Sequence, residues 1–162
     1  MTEKLLKDVQ LYSDGACLGN PGPGGYGLIL AYGEARKELS GGARLTTNNR
    51  MELLGVITGL DALKERCAVR VITDSRYVID GMEKGWARNW RSNGWLKKDR
   101  QPALNSDLWS RLLDLCERHA VRFEWVKGHA GHPENERCDR LAVAAANLPD
   151  LQIDEGYRPA AY

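Results

Sequence analysis

Residues 9–33 of the chain read VQLYSDGACLGNPGPGGYGLILAYG, two apolar runs of strand length separated by a loop dense in glycine and proline. Runs of this length that are bounded by Gly and Pro are typical of paired β-strands. Asp14 closes the first run. The loop that follows is therefore a phosphate cradle, a plain hairpin turn or the rim of an active site, and the rest of the chain has to decide among them.

The segments after this hairpin extend it into a larger sheet. A third, more polar strand is followed by a segment with Thr and Asn at a helix start and basic residues near its end, and two further strands then alternate with helices. Three antiparallel strands followed by two βα units predict an α/β fold, in which helices cover a mixed sheet. The segments, in order, are ARKELSGGARL (35–45), TTNNRMELLGVITGLDALKER (46–66), AVRVITD (68–74), NSDLWSRLLDLCERHA (105–120), VRFEWVKG (121–128) and PENERCDRLAVAAAN (133–147).

Composition leaves the class of partner open. The 162 residues carry 23 basic and 22 acidic side chains, a formal net charge of +1, which argues neither for nor against nucleic acid. No apolar run reaches the ~20 residues of a membrane span, and we see no secretion signal. The four cysteines lack zinc-type spacing, as expected of reduced thiols in the cytoplasm. We expect a monomer with one domain of residues 1–148 and a flexible tail of residues 149–162.

Acidic residues recur where strands end and on the apolar face of a helix. Asp14 and Asp74 each close a predicted strand, and ligands gather at the carboxyl ends of parallel strands in such sheets. Glu52 shares a helix face with Gly55 and Gly59, at i+3 and i+7. Because glycine is a poor helix residue, two glycines on one face indicate that this helix approaches the sheet closely, with Glu52 on the inward side.

Asp139 lies on a similar stripe of the last predicted helix, with Ala142, Val143 and Ala146 at i+3, i+4 and i+7. Any one of these acids alone is more often a cap or a surface ion pair. Four acids aimed at one sheet edge favour a metal site, because clustered buried carboxylates are costly without a cation. Oxygen ligands indicate Mg²⁺ or Mn²⁺, and acids that hold two such ions ~3.5–4 Å apart are a common means of cleaving phosphodiesters.

Three histidines occur in the chain, and their positions indicate different roles. His129 stands in a glycine-containing loop just before the helix that carries Asp139, which favours proton transfer over a plain loop residue. His132, followed by Pro133, indicates a structural role. His119 lies at a helix end, where an imidazolium would interact favourably with the helix dipole.

Two segments have the composition of a nucleic-acid contact. TTNNR (46–50) supplies amides that suit groove edges and a hydroxyl that suits a phosphate, although plain N-capping would use one of these residues. Residues 85–109 hold four of the five tryptophans, interleaved with cations. We expect the tryptophans mainly to pack in the core, and the cations to offer a groove for a nucleic-acid backbone. Asn105 or Ser106 would cap the helix at the end of this segment.

Four motifs in this order, SDGACLGNPGPGGYG, TTNNRMEL, TDSRYV and WVKGHAGHPENERCD, resemble ribonuclease H of the bacterial type I class. The resemblance runs from about Val9 to Leu148. It implies the ribonuclease H-like fold with a five-stranded mixed sheet, and endonucleolytic hydrolysis of the RNA strand of RNA–DNA hybrids. We expect a two-metal-ion mechanism that gives 5′-phosphate and 3′-hydroxyl ends, with Mg²⁺, or Mn²⁺ as a substitute, and two ions in the substrate complex. A single-strand DNA-binding protein is a possible partner.

The resemblance also implies roles for individual residues. Four acids would be catalytic metal ligands, and His129 would assist proton movement or product release. Three asparagines would contact the minor groove of the hybrid, two residues would hold a DNA phosphate, and a basic, tryptophan-rich handle would contact the DNA strand. In that order, these residues are Asp14, Glu52, Asp74 and Asp139; Asn20, Asn48 and Asn49; Thr47 and Asn105; and Trp86, Arg88, Trp90 and Arg91.

Three positions depart from the family pattern. Leu45 stands where some relatives have an arginine near the DNA phosphate, although Arg44 is adjacent, and Arg76 stands where an uncharged polar residue is common. The handle reads RSNG at residues 91–94, where some relatives are more basic, which would shift hybrid affinity towards Lys97, Lys98 and Arg100. None of these departures touches the four acids.

The motifs weigh against the alternatives for the opening loop and for the whole chain. The loop lacks the glycine spacing of phosphate cradles and Asp14 would repel a phosphate, so we expect a hairpin after a metal ligand. A hybrid-binding module without catalysis is disfavoured because all four acids are present. A resolvase-like nuclease that acts on DNA, and a structural protein whose acids bind a stabilising ion, remain as alternatives.

Overall fold

The structure is a computed structural model that describes residues 5–128 and 131–159. In that part of the chain, strands and helices follow the predicted order. The elements are β1 (Lys7–Cys17), β2 (Gly22–Tyr32), β3 (Ala35–Thr46), α1 (Asn48–Asp61), β4 (Cys67–Thr73), α2 (Arg76–Glu83), α3 (Trp86–Ser92), α4 (Ser106–Arg118), β5 (Ala120–Trp125) and α5 (Pro133–Ala146).

The five strands form one mixed sheet in the order β3-β2-β1-β4-β5. β1, β2 and β3 pair antiparallel, whereas β4 pairs parallel with both β1 and β5. The predicted meander with two βα units is therefore confirmed. Between β1 and β2, the Leu18 N–H donates to the Pro23 carbonyl at 2.7 Å, so the glycine- and proline-rich loop is a hairpin turn, as expected.

Helices α1 and α5 cover opposite faces of the sheet, because successive residues of a strand point to opposite sides. On β2, a Cβ added at Gly27 would lie 2.5 Å from the Cys138 carbonyl oxygen of α5. Tyr26, next to it, faces α1, where a Cβ added at Gly55 would lie 3.4 Å from the Tyr26 Cβ. The main core lies on the α1 side, and α5 packs closely against the glycines of β2.

Helix α1 begins at its Thr47 cap and ends at Asp61, so the basic residues expected near its end lie beyond it. A Cβ added at Gly59 would lie 2.5 Å from Leu11 Cδ1, so this position admits only glycine without a shift of the core. At Gly55 the contacts would be ordinary. The close helix–sheet approach that the two glycines predicted is confirmed, and Gly59 is the residue that requires it.

The tryptophan-rich segment packs into the core, as predicted. Trp109 of α4 is fully buried, and its ring centre lies 5.2 Å from that of Tyr77 and 6.2 Å from that of Trp90. Trp86, one turn before Trp90, stays 39% exposed. The cluster therefore joins α2, α3 and α4 and leaves one tryptophan at the surface.

His119 corrects an expectation. It follows α4 directly, is 2% exposed, and its Nδ1 accepts a hydrogen bond from the Cys67 N–H at 3.1 Å. Burial, together with the nearby Arg118 charge, holds the pKa of the imidazole below its usual range. The side chain is therefore a neutral imidazole that links the end of α4 to the start of β4 by a hydrogen bond, rather than a cation at a helix end.

The C-terminal segment contacts the domain over its described part, residues 149–159. Gln152 forms an isolated bridge with Ala43, and its carbonyl accepts the Arg44 N–H at 2.9 Å. Asp154 accepts a hydrogen bond from the Thr46 hydroxyl at 2.6 Å. The division into a domain of residues 1–148 and a flexible tail stays a prediction. The contacts of Gln152 and Asp154 restrict any flexibility to residues that follow them. Within the described ranges, no helix combines the length and apolarity that crossing a membrane requires.

Candidate active site

Three of the four predicted acids meet at one place. Asp14 comes from β1, Glu52 from the first turns of α1, and Asp74 directly follows β4. Each contributes one carboxylate oxygen to a group whose members all lie within 4.8 Å of one another. Residues far apart in the chain are thus brought together, as the sequence predicted.

The strands place Asp14 and Asp74 side by side in a slightly different way from the expected one. β1 does not end at Asp14 but continues to Cys17, paired with β2. Its parallel pairing with β4, however, stops at Tyr12 and Ile72. Both acids therefore project just beyond the carboxyl end of the parallel part of the sheet.

Gly15 lets the helix carrying Glu52 reach this point. A Cβ added at Gly15 would lie 2.7 Å from the Glu52 backbone nitrogen and 2.9 Å from the Met51 carbonyl carbon. Backbone atoms cannot move aside as a flexible side chain can, so any larger residue would push α1 off β1. The "DG" of the opening motif therefore positions Glu52 as well as Asp14.

For two of the three carboxylates, Glu52 and Asp14, the surroundings disfavour the ionised form. Glu52 is 5% exposed, and its Oε2 is buried without a hydrogen-bond partner among the described residues. Burial, with the charges of Asp14 and Asp74, raises the pKa of Glu52 well above its usual range. Burial and the Asp74 charge likewise raise the pKa of Asp14 to about 7. A divalent cation would remove both penalties, and carboxylate oxygens are the ligands that Mg²⁺ prefers.

Asp139 lies beside this group without joining it. Its half-buried carboxylate is not among the three that meet within 4.8 Å, but its charge contributes to the raised pKa of Asp14. On the stripe that it shares, Ala142 and Ala146 are buried, whereas Val143 is 39% exposed. The stripe is therefore narrower than predicted and consists of alanines that pack against β2.

The histidine predicted to move protons, His129, lies outside the described residues. The loop backbone before it passes close to the cluster, because a Cβ added at Gly128 would lie 2.6 Å from Asp74 Oδ2. His132 occupies the N-cap position of α5 without a side-chain capping bond, and Pro133 begins that helix as expected.

Two polar residues predicted to contact a ligand also cap α1. Thr47 Oγ1 accepts the Arg50 N–H at 3.3 Å, and Asn20 Oδ1 accepts the Asn48 N–H at 3.2 Å. The Asn20 amide therefore reaches from the β1–β2 hairpin to the helix start. Asn49 is exposed beside it. The hairpin and the start of α1 thus form one polar surface next to Glu52.

Asn105 occupies the predicted cap position of α4, but its side chain makes no capping bond. Its Nδ2 donates to the Tyr77 hydroxyl at 3.0 Å, and its Oδ1 accepts from Arg50 Nη1 at 3.2 Å. The expected capping bond is therefore replaced by contacts to α2 and α1.

Comparison with known proteins gives the family. A family model for RNase H matches residues 6–147. The chain is 64% identical over 149 residues to the ribonuclease H of Desulforamulus reducens, covering 92% of this chain and 94% of that protein. It is 57% identical over 151 residues to the ribonuclease HI of Synechocystis sp., covering 92% and 94%. The chain belongs to the ribonuclease H family.

A solved structure agrees with this assignment. The crystal structure of LC9-RNase H1, described as a type 1 RNase H with the type 2 active-site motif, superposes with a TM-score of 0.79 at 36% identity. The match covers 90% of this chain and 74% of that chain. Ribonucleases H are divalent-metal-dependent endonucleases that cut the RNA strand of RNA–DNA hybrids, and the predicted fold, enzyme class and activity of this chain are confirmed at that level.

In this ribonuclease H, the four predicted handle residues lie on two sides of α3. Trp86 and Trp90, with ring centres 6.5 Å apart, line an open apolar groove together with Lys97 and Lys98. Arg91 instead forms ion pairs with Asp114 and Glu117 of α4, at 2.6 Å and 3.5 Å. Arg88 is exposed and borders a second groove, beside Cys116.

Three contacts around the active site were not predicted from the sequence. The Arg76 guanidinium lies 4.8 Å from the centre of the Trp125 ring, and Trp125 Nε1 donates to the Asp74 carbonyl at 3.1 Å. Arg50, inside the TTNNR motif, is 2% exposed and reaches the C-terminal segment. Its position within a helix full of apolar residues was a signal, since a buried arginine requires acidic partners.

Proposed function

We propose that Asp14, Glu52, Asp74 and Asp139 hold two Mg²⁺ ions in the substrate complex, with Mn²⁺ as a substitute. The observation that carries the proposal is the meeting of three carboxylates from separate elements within 4.8 Å, with Glu52 Oε2 buried and unpartnered in the described structure. Asp139 lies beside them on α5 and completes the set of oxygen ligands. The donor set is that of a hard divalent cation.

The protein's part in hydrolysis is to place these groups and to move a proton. Ions held by the carboxylates would supply activation of the attacking water and stabilisation of the leaving oxygen, and cleavage would then leave a 5′-phosphate and a 3′-hydroxyl. Glu52, held rigidly by the contact of α1 with Gly15, fixes the position of the site against the sheet. His129, in the segment that follows Gly128, accepts or delivers a proton, or assists product release.

The substrate surface extends from the carboxylates in two directions. The surface of Asn20, Asn48 and Asn49 at the start of α1 contacts the minor groove, where amides can hydrogen-bond base edges and sugars. Thr47 and Asn105 hold a phosphate of the DNA strand. The handle contacts the DNA backbone beyond it through Trp86, Arg88, Trp90 and Arg91, with Lys97 and Lys98 adding positive charge beside the two tryptophans.

Two of the departures from the family pattern have structural consequences for this surface. Arg44, the cation next to Leu45, is turned towards the C-terminal segment, where its Nε donates to the Leu151 carbonyl at 3.2 Å, while Leu45 is 49% exposed. Arg76 adds an exposed cation next to Asp74, stacked on Trp125. We therefore expect Arg76 to add to hybrid affinity, a contribution that a neutral residue at this position would not make.

The test is a side-by-side digestion of labelled RNA annealed to DNA, the same RNA annealed to RNA, and duplex DNA, each with Mg²⁺ or EDTA. We expect metal-dependent cutting of the RNA strand of the hybrid alone. Asp14→Asn and Asp74→Asn should each abolish cutting while hybrid binding survives. Asp8→Asn, an exposed acid on the same strand as Asp14, is the matched control and should cut normally.

Other outcomes of this experiment have clear meanings. Cutting of duplex DNA would favour the resolvase-like alternative, and full activity of Asp14→Asn would remove it from the metal site. Retention of the hybrid without any cutting would point to a binding module.

We also propose that the enzyme acts as a monomer in the cytoplasm, with a single-strand DNA-binding protein as a possible recruiting partner. All four cysteines are free thiols, as expected of a reducing compartment. Light scattering of the purified protein, and titration with a labelled single-strand DNA-binding protein, test the two parts separately. A stable dimer would contradict the monomer. An absence of binding at micromolar concentrations would contradict the partner.

A further inference from the structure

The Arg50 guanidinium is the centre of a buried charge network that ties three separate segments together. Its Nη1 and Nη2 donate to the two carboxylate oxygens of Asp107 on α4, at 2.9 Å and 2.7 Å. Its Nε and Nη2 donate to the two oxygens of Asp154 in the C-terminal segment, at 2.7 Å and 2.9 Å. Arg50 itself belongs to α1, two residues before Glu52.

The two acids compensate the charge of a cation that is 2% exposed. Burial alone would lower the pKa of Arg50, but the hydrogen bonds and charges of Asp107 and Asp154 raise it instead. Asp154 is more enclosed than Asp107, with 11% against 44% side-chain exposure. It also accepts the Thr46 hydroxyl, so it fixes the chain directly before Thr47.

The network has one further acceptor, and that acceptor is the Asn105 side chain. Asn105 has a left-handed backbone (φ 61°) and its amide makes no capping bond, although Asn is among the preferred capping residues. Arg50 holds the amide oxygen and the Tyr77 hydroxyl accepts from the amide nitrogen. The orientation of the amide is thereby set, and its second N–H has no partner among the residues that the structure describes.

Thr47 is held at the helix start by the backbone of Arg50 and not by its guanidinium. Its Oγ1 accepts the Arg50 backbone N–H, so its hydroxyl hydrogen is available for another acceptor. Of these two donors, the Thr47 hydroxyl and the second Asn105 N–H, only the second is oriented by the guanidinium. Such a pair suits an anionic oxygen, and the proposed DNA phosphate is the anion at hand.

We propose that Asp154 is a positioning residue for binding of the DNA strand, acting through Arg50 on Asn105, the partner of Thr47 in the proposed phosphate contact. The inference rests on the proposed phosphate contact of these two residues. Without the Asp154 carboxylate, the guanidinium would be held by Asp107 alone and could turn towards it, away from the Asn105 oxygen. The amide would then be free to flip, and the N–H that meets the phosphate would be lost.

The test uses the full-length chain with Mg²⁺ and compares Asp154→Asn with Glu155→Gln, a neighbouring exposed acid. We expect Asp154→Asn to raise KM about tenfold with little change in kcat, as for the loss of one charge-assisted hydrogen bond in substrate binding. Asn105→Ala should raise KM as well, and the double variant should be no worse than Asn105→Ala alone. Glu155→Gln should match the wild type.

A second measurement distinguishes positioning from general stability. Hybrids in which single DNA phosphates are replaced in turn by neutral methylphosphonates should show one position where the KM difference between wild type and Asp154→Asn disappears. A lower Tm with unchanged KM would overturn the inference, as would KM effects of Asp154→Asn and Asn105→Ala that multiply in the double variant. If Asp154→Asn is unfolded at the assay temperature, Asp154→Glu takes its place. Failure of the wild type to cut the unmodified hybrid would instead overturn the proposed function.

Discussion

Two carboxylates of the active site lower the stability of the metal-free protein when they ionise. Glu52 and Asp14 are carboxylates in a partly desolvated group of like charges, which raises the pKa of both. A raised pKa means that the folded protein without metal binds protons more tightly than the unfolded chain does. The free-energy cost of assembling the metal-free site is therefore greatest at high pH, where these carboxylates ionise.

Replacement of Asp14 by Asn should stabilise the metal-free protein at high pH. The folded pKa of Asp14, about 7, lies above its ordinary value of 3.8, so its contribution to stability is full below about 3.8 and is lost as pH rises through about 7. In EDTA we expect the Tm of Asp14→Asn to exceed that of the wild type by a few degrees at pH 8, for a gain of ~1 kcal/mol or more.

Thermal melts followed by circular dichroism at pH 5 and pH 8 check this prediction. Mg²⁺ should raise the Tm of the wild type at pH 8 and have a smaller effect on Asp14→Asn. Asp8→Asn serves as the control and should follow the wild type at both pH values. An Asp14→Asn protein whose Tm equals that of the wild type in EDTA at pH 8 would show that the carboxylate group carries no such cost.

At the scale of elements, the contact between α1 and β1 controls the position of Glu52. Gly59→Ala should lower the free energy of unfolding by about 1–3 kcal/mol, because its Cβ would meet Leu11, a fully buried side chain without room to move. Gly55→Ala, on the same helix face, meets only ordinary contacts and should gain up to about 1 kcal/mol from helix propensity. Urea denaturation of the pair measures both, and equal effects of the two substitutions would contradict the close approach at Gly59.

The handle provides the second prediction at this scale. The double replacement of Lys97 and Lys98 by Ala should weaken hybrid binding. It should also reduce the slope of log Kd against log salt concentration by about one to two, since each lost phosphate contact removes roughly 0.9. The kcat value should be unchanged. Arg91→Ala is the comparison and should weaken hybrid binding less, since Arg91 is already paired with acids of α4. Binding titrations between about 50 and 200 mM salt measure these slopes. A larger loss of hybrid affinity in Arg91→Ala than in the double lysine variant would place the DNA contact on the other side of α3.

For the molecule as a whole, His119 opposes the carboxylates in its pH dependence. Its folded pKa is lowered, so its contribution to stability is present above the unfolded value near 6.5 and is lost as pH falls below it. The difference in unfolding free energy between wild type and His119→Gln should therefore shrink from pH 7.5 to pH 5. Urea titrations at the two pH values measure it, with the exposed His132→Gln as control. A difference that stays constant with pH would show that His119 does not titrate on unfolding.

The sequence predicted the sheet, the helices and the carboxylates because each is encoded locally. Asp14 and Asp74 follow apolar runs, and the glycines of α1 mark the face that Glu52 shares. It did not predict the partner of Arg50, because Asp154 lies 104 positions away in a segment without periodicity. Nor could a motif show that Asn105 turns its amide away from its own helix, since that choice depends on Arg50 and Tyr77 meeting it in space.

The pairing of Gln152 with Ala43 also affects how the protein behaves when several copies meet. β3 is an outer strand of the sheet, and an outer strand left open is a template on which another chain can add a strand. Its first half carries charged side chains at Arg36, Lys37 and Glu38, which discourage such addition, and its second half is covered by the C-terminal segment. A shortened chain ending at residue 148 would therefore be prone to aggregate on heating, where the full chain is protected.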